Sequence, residues 1–213
     1  MRYYDWPEQM RHSPLFTIPK DFVVRHGEDG PEPSMWSLLT KPEKSIIVSI
    51  LSCTSIGKNS PSEALLAALC GIKTRKTVRN ALYKLEKRDL IKVNRGNNRN
   101  IIQKIEQKDD NINISASLII DGHWQVIGEK CPSSHALYVA LLALMPDERS
   151  VQPSASIICK VAGISMRHYK VTLAQLIKRE LASLWEWPRQ RVIPSVPAGR
   201  GYTKSFLESL WIE

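Results

Sequence analysis

The stretch KTRKTVRNALYKLEKRDL, Lys73 to Leu90, decides the fold. Val78, Ala81, Leu82 and Leu85 recur at helical spacing, while Arg75, Lys76, Arg79, Asn80, Tyr83, Lys84 and Lys87 fall mostly on the other faces. That pattern predicts a helix with one apolar side and one basic side. Upstream, SEALLAALCGI (Ser62 to Ile72) predicts a shorter apolar helix stopped at Gly71, because glycine enters a left-handed helix-ending turn at least steric cost. Downstream, Leu90 to Val93 and Ile101 to Ile105 are β-prone runs around a loop rich in Gly, Asn and Arg. Helix, glycine turn, basic helix and hairpin, in that order, predict a helix-turn-helix with a wing behind it.

Charge singles out the same stretch. From Lys41 to Lys108 there are 15 Lys and Arg against 5 Asp and Glu, a balance of +10, while residues 1–40 carry −2 and residues 109–213 carry +1 of the net +9. A solvated lysine-rich surface would spread its charge; a nucleic-acid footprint concentrates it on one element.

Outward from this segment, residues 1–17 read as a polar and aromatic arm. IPKDFVV (Ile18 to Val24) reads as a strand and HGEDGPEP as an acidic loop; Trp36 then opens WSLLTKPEKSIIVSILS, in which Pro42 sits near a helix start and Ile46, Ile47, Ile50 and Leu51 mark a face turned to a core. The second half then repeats the pattern. ISASLII (Ile114 to Ile120) matches IPKDFVV, Trp124 matches Trp36, and Pro132 matches Pro42. Pro153-Ser154 matches Pro61-Ser62, Gly163-Ile164 matches Gly71-Ile72, and LAQLIKREL (Leu173 to Leu181) matches LYKLEKRDL (Leu82 to Leu90). Ordered matches at near-constant offset predict an internal duplication with a domain-sized period of about ninety residues, too long for a solenoid repeat. The expected fold is mainly α with small β-hairpins, an α+β class. It comprises a first winged-helix domain over residues 18–108 and a second over residues 109–213, closed by a terminal helix, SFLESLWIE. Matched positions make Trp36 and Trp124 structural anchors, and Tyr138 and Trp185 core candidates.

Duplex DNA presents a line of phosphates and a major groove that admits one α-helix, so a reader needs cations for the backbone and forked or amide side chains for base edges. Arg75 and Arg79 lie four apart on one face and suit guanine; Asn80 suits adenine. Thr74 and Thr77, with Lys76 beside them, suit phosphate at a helix start. Lys84 is a backbone cation, and Tyr83 a packing residue at the helix edge. Arg95 and Arg99 flank Asn97 and Asn98 on a tip suited to the minor groove. In the second half the matching segment, SMRHYK, keeps Arg167 and Lys170 and adds His168, with a lower charge density. The first domain is therefore the expected principal reader, and the second supplies a weaker contact, a dimer surface or both.

The residues TRKTVRNALYKLEKRDLI resemble the recognition-helix region of GntR-type and MarR-type bacterial regulators, over roughly Ser62 to Ile105. In GntR-type proteins the positions matching Thr74, Arg75, Lys76, Thr77 and Arg79 approach DNA, and the wing tip matching Arg95, Gly96 and Asn97 enters the neighbouring groove. The ligand-binding half of those regulators has no counterpart here. Two related winged helices in one chain also resemble plasmid and phage replication initiators, and more distantly the winged-helix accessory subunits of chromosome-organising complexes. The expectation is a sequence-specific reader of double-stranded DNA, a transcriptional regulator first and a replication initiator second.

Other chemistry is not signalled. The sequence has no Walker loop, no G-x-S-x-G and no paired-carboxylate or His-rich metal signature. Cys53, Cys70, Cys131 and Cys159 stand singly, which predicts reduced, buried thiols without zinc. Neither an enzyme, a cofactor nor a small-molecule effector is expected. MRYYDWPEQMRH lacks a signal-peptide core and Ala136 to Met145 is too short to cross a bilayer, so the expected compartment is the cytoplasm. Trp187, Tyr202 and Trp211 form a C-terminal aromatic patch suited to a homodimer interface.

Overall fold

A computed structural model of the chain describes residues 15–94, 100–106, 109–120, 122–145, 153–185 and 191–194. Strand β1 (Leu15–Pro19) leads into one helical turn, α1 (Lys20–Val23), and a hairpin of β2 (Val24–Gly27) and β3 (Gly30–Pro33). Then come α2 (Met35–Leu38), the long α3 (Lys41–Ser55), α4 (Glu63–Cys70), α5 (Arg75–Lys87) and the hairpin of β4 (Ile91–Asn94) and β5 (Asn100–Gln103). The second half runs β6 (Asn111–Ser115), α6 (Ser117–Ile120), α7 (His123–Lys130), α8 (Ser133–Leu144), α9 (Ala155–Ala162), α10 (Met166–Lys178) and the hairpin of β7 (Ala182–Trp185) and β8 (Arg191–Pro194). The architecture is mainly helical with small two-stranded antiparallel sheets, an α+β arrangement. Among the described residues no helix is long and apolar enough to cross a membrane.

Local chemistry accounts for the element ends. At the start of α3, Glu43 accepts the Thr40 backbone N–H at 2.5 Å, the returning arm of a Thr-x-x-Glu capping pattern. Ser62 and Ser154 cap α4 and α9 by accepting from Leu65 N at 3.1 Å and Ile157 N at 3.3 Å. These helices stop at Gly71 (φ 63°) and Gly163 (φ 65°), both left-handed. Helices α5 and α10 run into Asp89 (φ 58°) and Glu180 (φ 59°), the only non-glycine residues with positive φ among those described. The left-handed turns let Leu90 N and Leu181 N reach back to the carbonyls of Leu85 and Leu176 at 3.0 and 2.9 Å.

The structure corrects the sequence-based expectations at three places. IPKDFVV and ISASLII are not strands throughout: β1 ends at Pro19 and β6 at Ser115, and each chain then makes one helical turn. A short apolar run carries no period that separates a strand from a buried turn, and a single turn suffices to bury Phe22 and Val23, or Leu118 and Ile119. HGEDGPEP is part of a hairpin turning at Glu28 and Asp29, with Val24 opposite Pro33. Strand β1 begins at Leu15, inside the stretch expected to be an arm, because it has a partner that the local sequence does not reveal: β6, ninety-odd residues away, with Phe16 opposite Ile114 and Ile18 opposite Ile112.

That pairing joins the first half to the second, and so does everything beneath it. Helix α3 packs on α8, α4 on α7, and α9 on α2. The buried residues form one cluster spanning both halves, Ile46, Ile50, Leu66 and Leu85 with Leu137, Leu141, Ile158 and Leu176 among them. Trp36 and Trp124 are both fully buried; the Trp36 indole N–H donates to Ala136 O at 3.3 Å, and that of Trp124 to Ser45 O at 3.4 Å. A Cβ on Gly71 would lie 2.5 Å from Gln125 O, and one on Gly163 2.5 Å from Ser37 O. Lys44 is buried beside the Trp36 ring and donates from Nζ to Ala162 O at 2.8 Å; desolvation draws its ammonium down to about 8. His135 stacks on Trp124 with ring centroids 4.0 Å apart and donates from Nε2 to Trp124 O at 2.7 Å.

Two stability outcomes follow from this junction. Trp36→Ala should cost about 3–5 kcal/mol, and Gly163→Ala at least the left-handed penalty of about 1–2 kcal/mol plus displacement of the Ser37 carbonyl; urea unfolding followed by circular dichroism should show each as an earlier but still single transition. Burial holds the His135 imidazole down at about 4 against 6.5 in the open chain. The unfolded state therefore binds the extra proton between those values, so stability should be level above pH 6.5 and fall as pH drops to 4, by about 3 kcal/mol in total. His135→Phe should flatten that window in pH-dependent denaturation.

Candidate nucleic-acid interface

Helix α5 is two-sided as its sequence predicts. Val78, Ala81, Leu82 and Leu85 are buried against the core, and Arg75, Lys76, Arg79, Asn80, Lys84 and Lys87 are exposed. Spacing sorts the exposed side chains into an Arg75–Arg79 row and a neighbouring row of Lys76, Asn80, Tyr83, Lys84 and Lys87. Tyr83 is 62% exposed, which corrects its assignment as a packing residue. Its place in the sequence already carried the signal: it stands three after Asn80 and four before Lys87, on the polar side of the helix.

The helix start is a conventional cap. Thr74 accepts the Thr77 N–H at 3.3 Å and their hydroxyls lie 2.9 Å apart, so these oxygens already hold each other. No acidic residue occupies the first turn, where Arg75 and Lys76 add charge to the positive end of the helix dipole. The far end is anchored too. Arg88 sits with Nε 3.8 Å from the buried Glu43 carboxylate and donates from Nη2 to Leu38 O at 3.4 Å. Glu86 accepts the Val93 N–H at 3.1 Å, tying α5 to the hairpin.

Two pairings are not visible in the sequence. Arg79 donates through Nη2 and Nε to Glu63 at 3.1 and 3.4 Å, a two-point ion pair with the first residue of α4. Lys104, beyond β5, pairs with Asp89 after α5. Neither partner is detectable by periodicity, since each lies on a different element.

The hairpin β4–β5 follows α5 directly, with Ile91 opposite Gln103 and Asn94 opposite Asn100. Val93 and Ile101 are buried beneath it, while Lys92 and Ile102, opposite each other, are exposed. The tip residues Arg95, Asn97, Asn98 and Arg99 lie outside the described residues. On α10, Arg167, His168 and Lys170 are exposed as a second, sparser set. His168 Nδ1 lies 2.7 Å from the Ser165 hydroxyl, so one imidazole nitrogen is already hydrogen-bonded to the side chain that precedes the helix. Met166 and Val171, 52% and 60% exposed, interrupt the polar face that α5 keeps intact.

Cys53, Cys70 and Cys159 are buried free thiols and Cys131 is half-buried; desolvation pushes Cys53 up to about 12 and Cys70 to about 11. Among the described residues no three His, Cys, Asp or Glu are grouped so as to hold a metal ion. Comparison with protein-family models, with curated proteins and with solved structures finds no match.

Thr74→Ala should remove the α5 cap and cost about 1 kcal/mol of stability, and Thr74→Ser should retain it; thermal melting of the three proteins checks both.

Proposed function

We propose that the chain is a sequence-specific double-stranded DNA-binding protein made of two winged-helix domains related by internal duplication, acting by binding rather than by chemistry, with α5 as the principal reading helix. The observation that carries the proposal is the outer face of α5: a continuous display of Arg75, Lys76, Arg79, Asn80, Lys84 and Lys87 on a helix whose opposite face is sunk in the core. A major groove accepts one such rod, with cations for phosphates and forks for base edges. The hairpin behind it, with Lys92 exposed, suits a wing.

The duplication is supported by the order of elements and by their ends. Strand, helical turn, four helices and a hairpin occur in that sequence twice, the β2–β3 hairpin being an addition to the first half. The serine caps, the left-handed glycines and the two rare left-handed acidic residues all fall at matched positions. The likeness of TRKTVRNALYKLEKRDLI to GntR-type and MarR-type regulators favours transcriptional control of a cytoplasmic target. A replication initiator is the second reading, favoured by two like halves fused on one core. Directly repeated footprints beside an origin would mark an initiator, and a single operator at a promoter a regulator.

In selection of bound sites from random duplex, the protein should enrich a defined sequence. Arg75→Ala should cost about 1–3 kcal/mol and relax preference at one position, whereas Lys84→Ala should weaken all duplexes alike and lower the salt dependence. Equal, sequence-blind losses from both would refute base reading by α5.

A further inference from the structure

We propose that Glu63 is a positioning residue for base reading: by holding one edge of the Arg79 guanidinium, it aims the other edge at the duplex and sets a guanine preference at one base pair. The inference rests on the DNA-binding role proposed for α5.

A guanidinium has two usable forks, the side edge of Nε and Nη2 and the end edge of Nη1 and Nη2. Glu63 takes the side edge, its two carboxylate oxygens 3.1 Å from Nη2 and 3.4 Å from Nε. The end edge, which matches O6 and N7 of guanine, is left for a ligand. Exposure agrees with this division: the Arg79 side chain is 71% exposed and that of Glu63 only 15%. The carboxylate is thus the more buried of the two groups, and the guanidinium is the one that faces solvent and an approaching ligand. Glu63 opens α4, whose start is fixed by the Ser62 cap, and α4 packs on α5, so the clamp joins two rigid elements. An arginine held before binding loses less side-chain freedom on reaching the base, and so discriminates better than a free one. An acidic residue in the first turn of a helix is also favourable to its dipole, which accounts for a carboxylate at position 63 but not for its two-point grip on Arg79.

Site selection followed by affinity measurements on wild type, Glu63→Gln, Arg79→Lys and the double variant tests the proposal, with thermal melting to check that each is folded. Glutamine keeps the shape but has a single carbonyl acceptor in place of the carboxylate pair. Glu63→Gln should reduce guanine preference at one base pair about tenfold while affinity for random duplex stays level or rises. Arg79→Lys should lose the same preference, and the double variant should lose no more. The proposal is overturned if Glu63→Gln shifts affinity for every duplex together with base preference intact, or if preference falls at several positions at once. A wild-type chain that retards no duplex at low salt overturns the DNA-binding proposal, and this inference with it, before any variant is compared.

Discussion

Each half of the chain passes an indole N–H into the other. Trp36 donates to Ala136 O near the start of α8, and Trp124 to Ser45 O near the start of α3. The acceptors are backbone carbonyls on the two central helices, so the distance between halves is set by main chain rather than by adjustable side chains. A buried indole that lost its acceptor would leave an unpaired donor as well as a misfit ring. The left-handed glycines enforce the same distance by volume, Gly71 against Gln125 O and Gly163 against Ser37 O, leaving no room for a Cβ. Hydrogen bonds hold the halves together and glycines let them approach, and a single core results.

Everything displayed on α5 depends on that arrangement. Its apolar face is spent on the core, its N terminus is capped by Thr74, and its C-terminal end is held through Arg88 to Glu43 and Leu38 and through Glu86 to Val93. A helix fixed at both ends presents its outer side chains from known positions, which is what discrimination between similar surfaces requires. Arg88 illustrates the division of labour among the cations: it belongs to the same basic run as Lys84 and Lys87, yet it works inward as an anchor.

The legible parts of the sequence were those with a period or a punctuation mark. The face of α5 followed from Val78, Ala81, Leu82 and Leu85, and the end of α4 from Gly71. Tryptophan positions suggested anchors, and both proved fully buried. What the sequence withheld were pairings between distant segments. Nothing local distinguishes Leu15 as a strand residue until Ser115 lies opposite it, and nothing in α4 announces that Glu63 will meet Arg79 sixteen residues on. The helical turns Lys20–Val23 and Ser117–Ile120 were missed because a run that short has no period of its own and takes its conformation from the core it enters.

The junction also explains why the halves are not interchangeable. A helix that ends inside the protein must find donors for its last carbonyls or be fitted closely enough to exclude the need. At the end of α9 the first half supplies a donor, the Lys44 ammonium on Ala162 O, where a cation also suits the negative end of the helix dipole. At the end of α4, no lysine among the described residues of the second half donates to the last carbonyls. Gly128 lets α7 come up against Cys70 O, with the His135 ring beside it, stacked on Trp124 and kept neutral by burial. The same structural demand is thus met by a charge on one side and by shape on the other. Exchanging the two solutions would set Lys44 against an imidazole or leave Ala162 O without its donor, so each half is fitted to its own place.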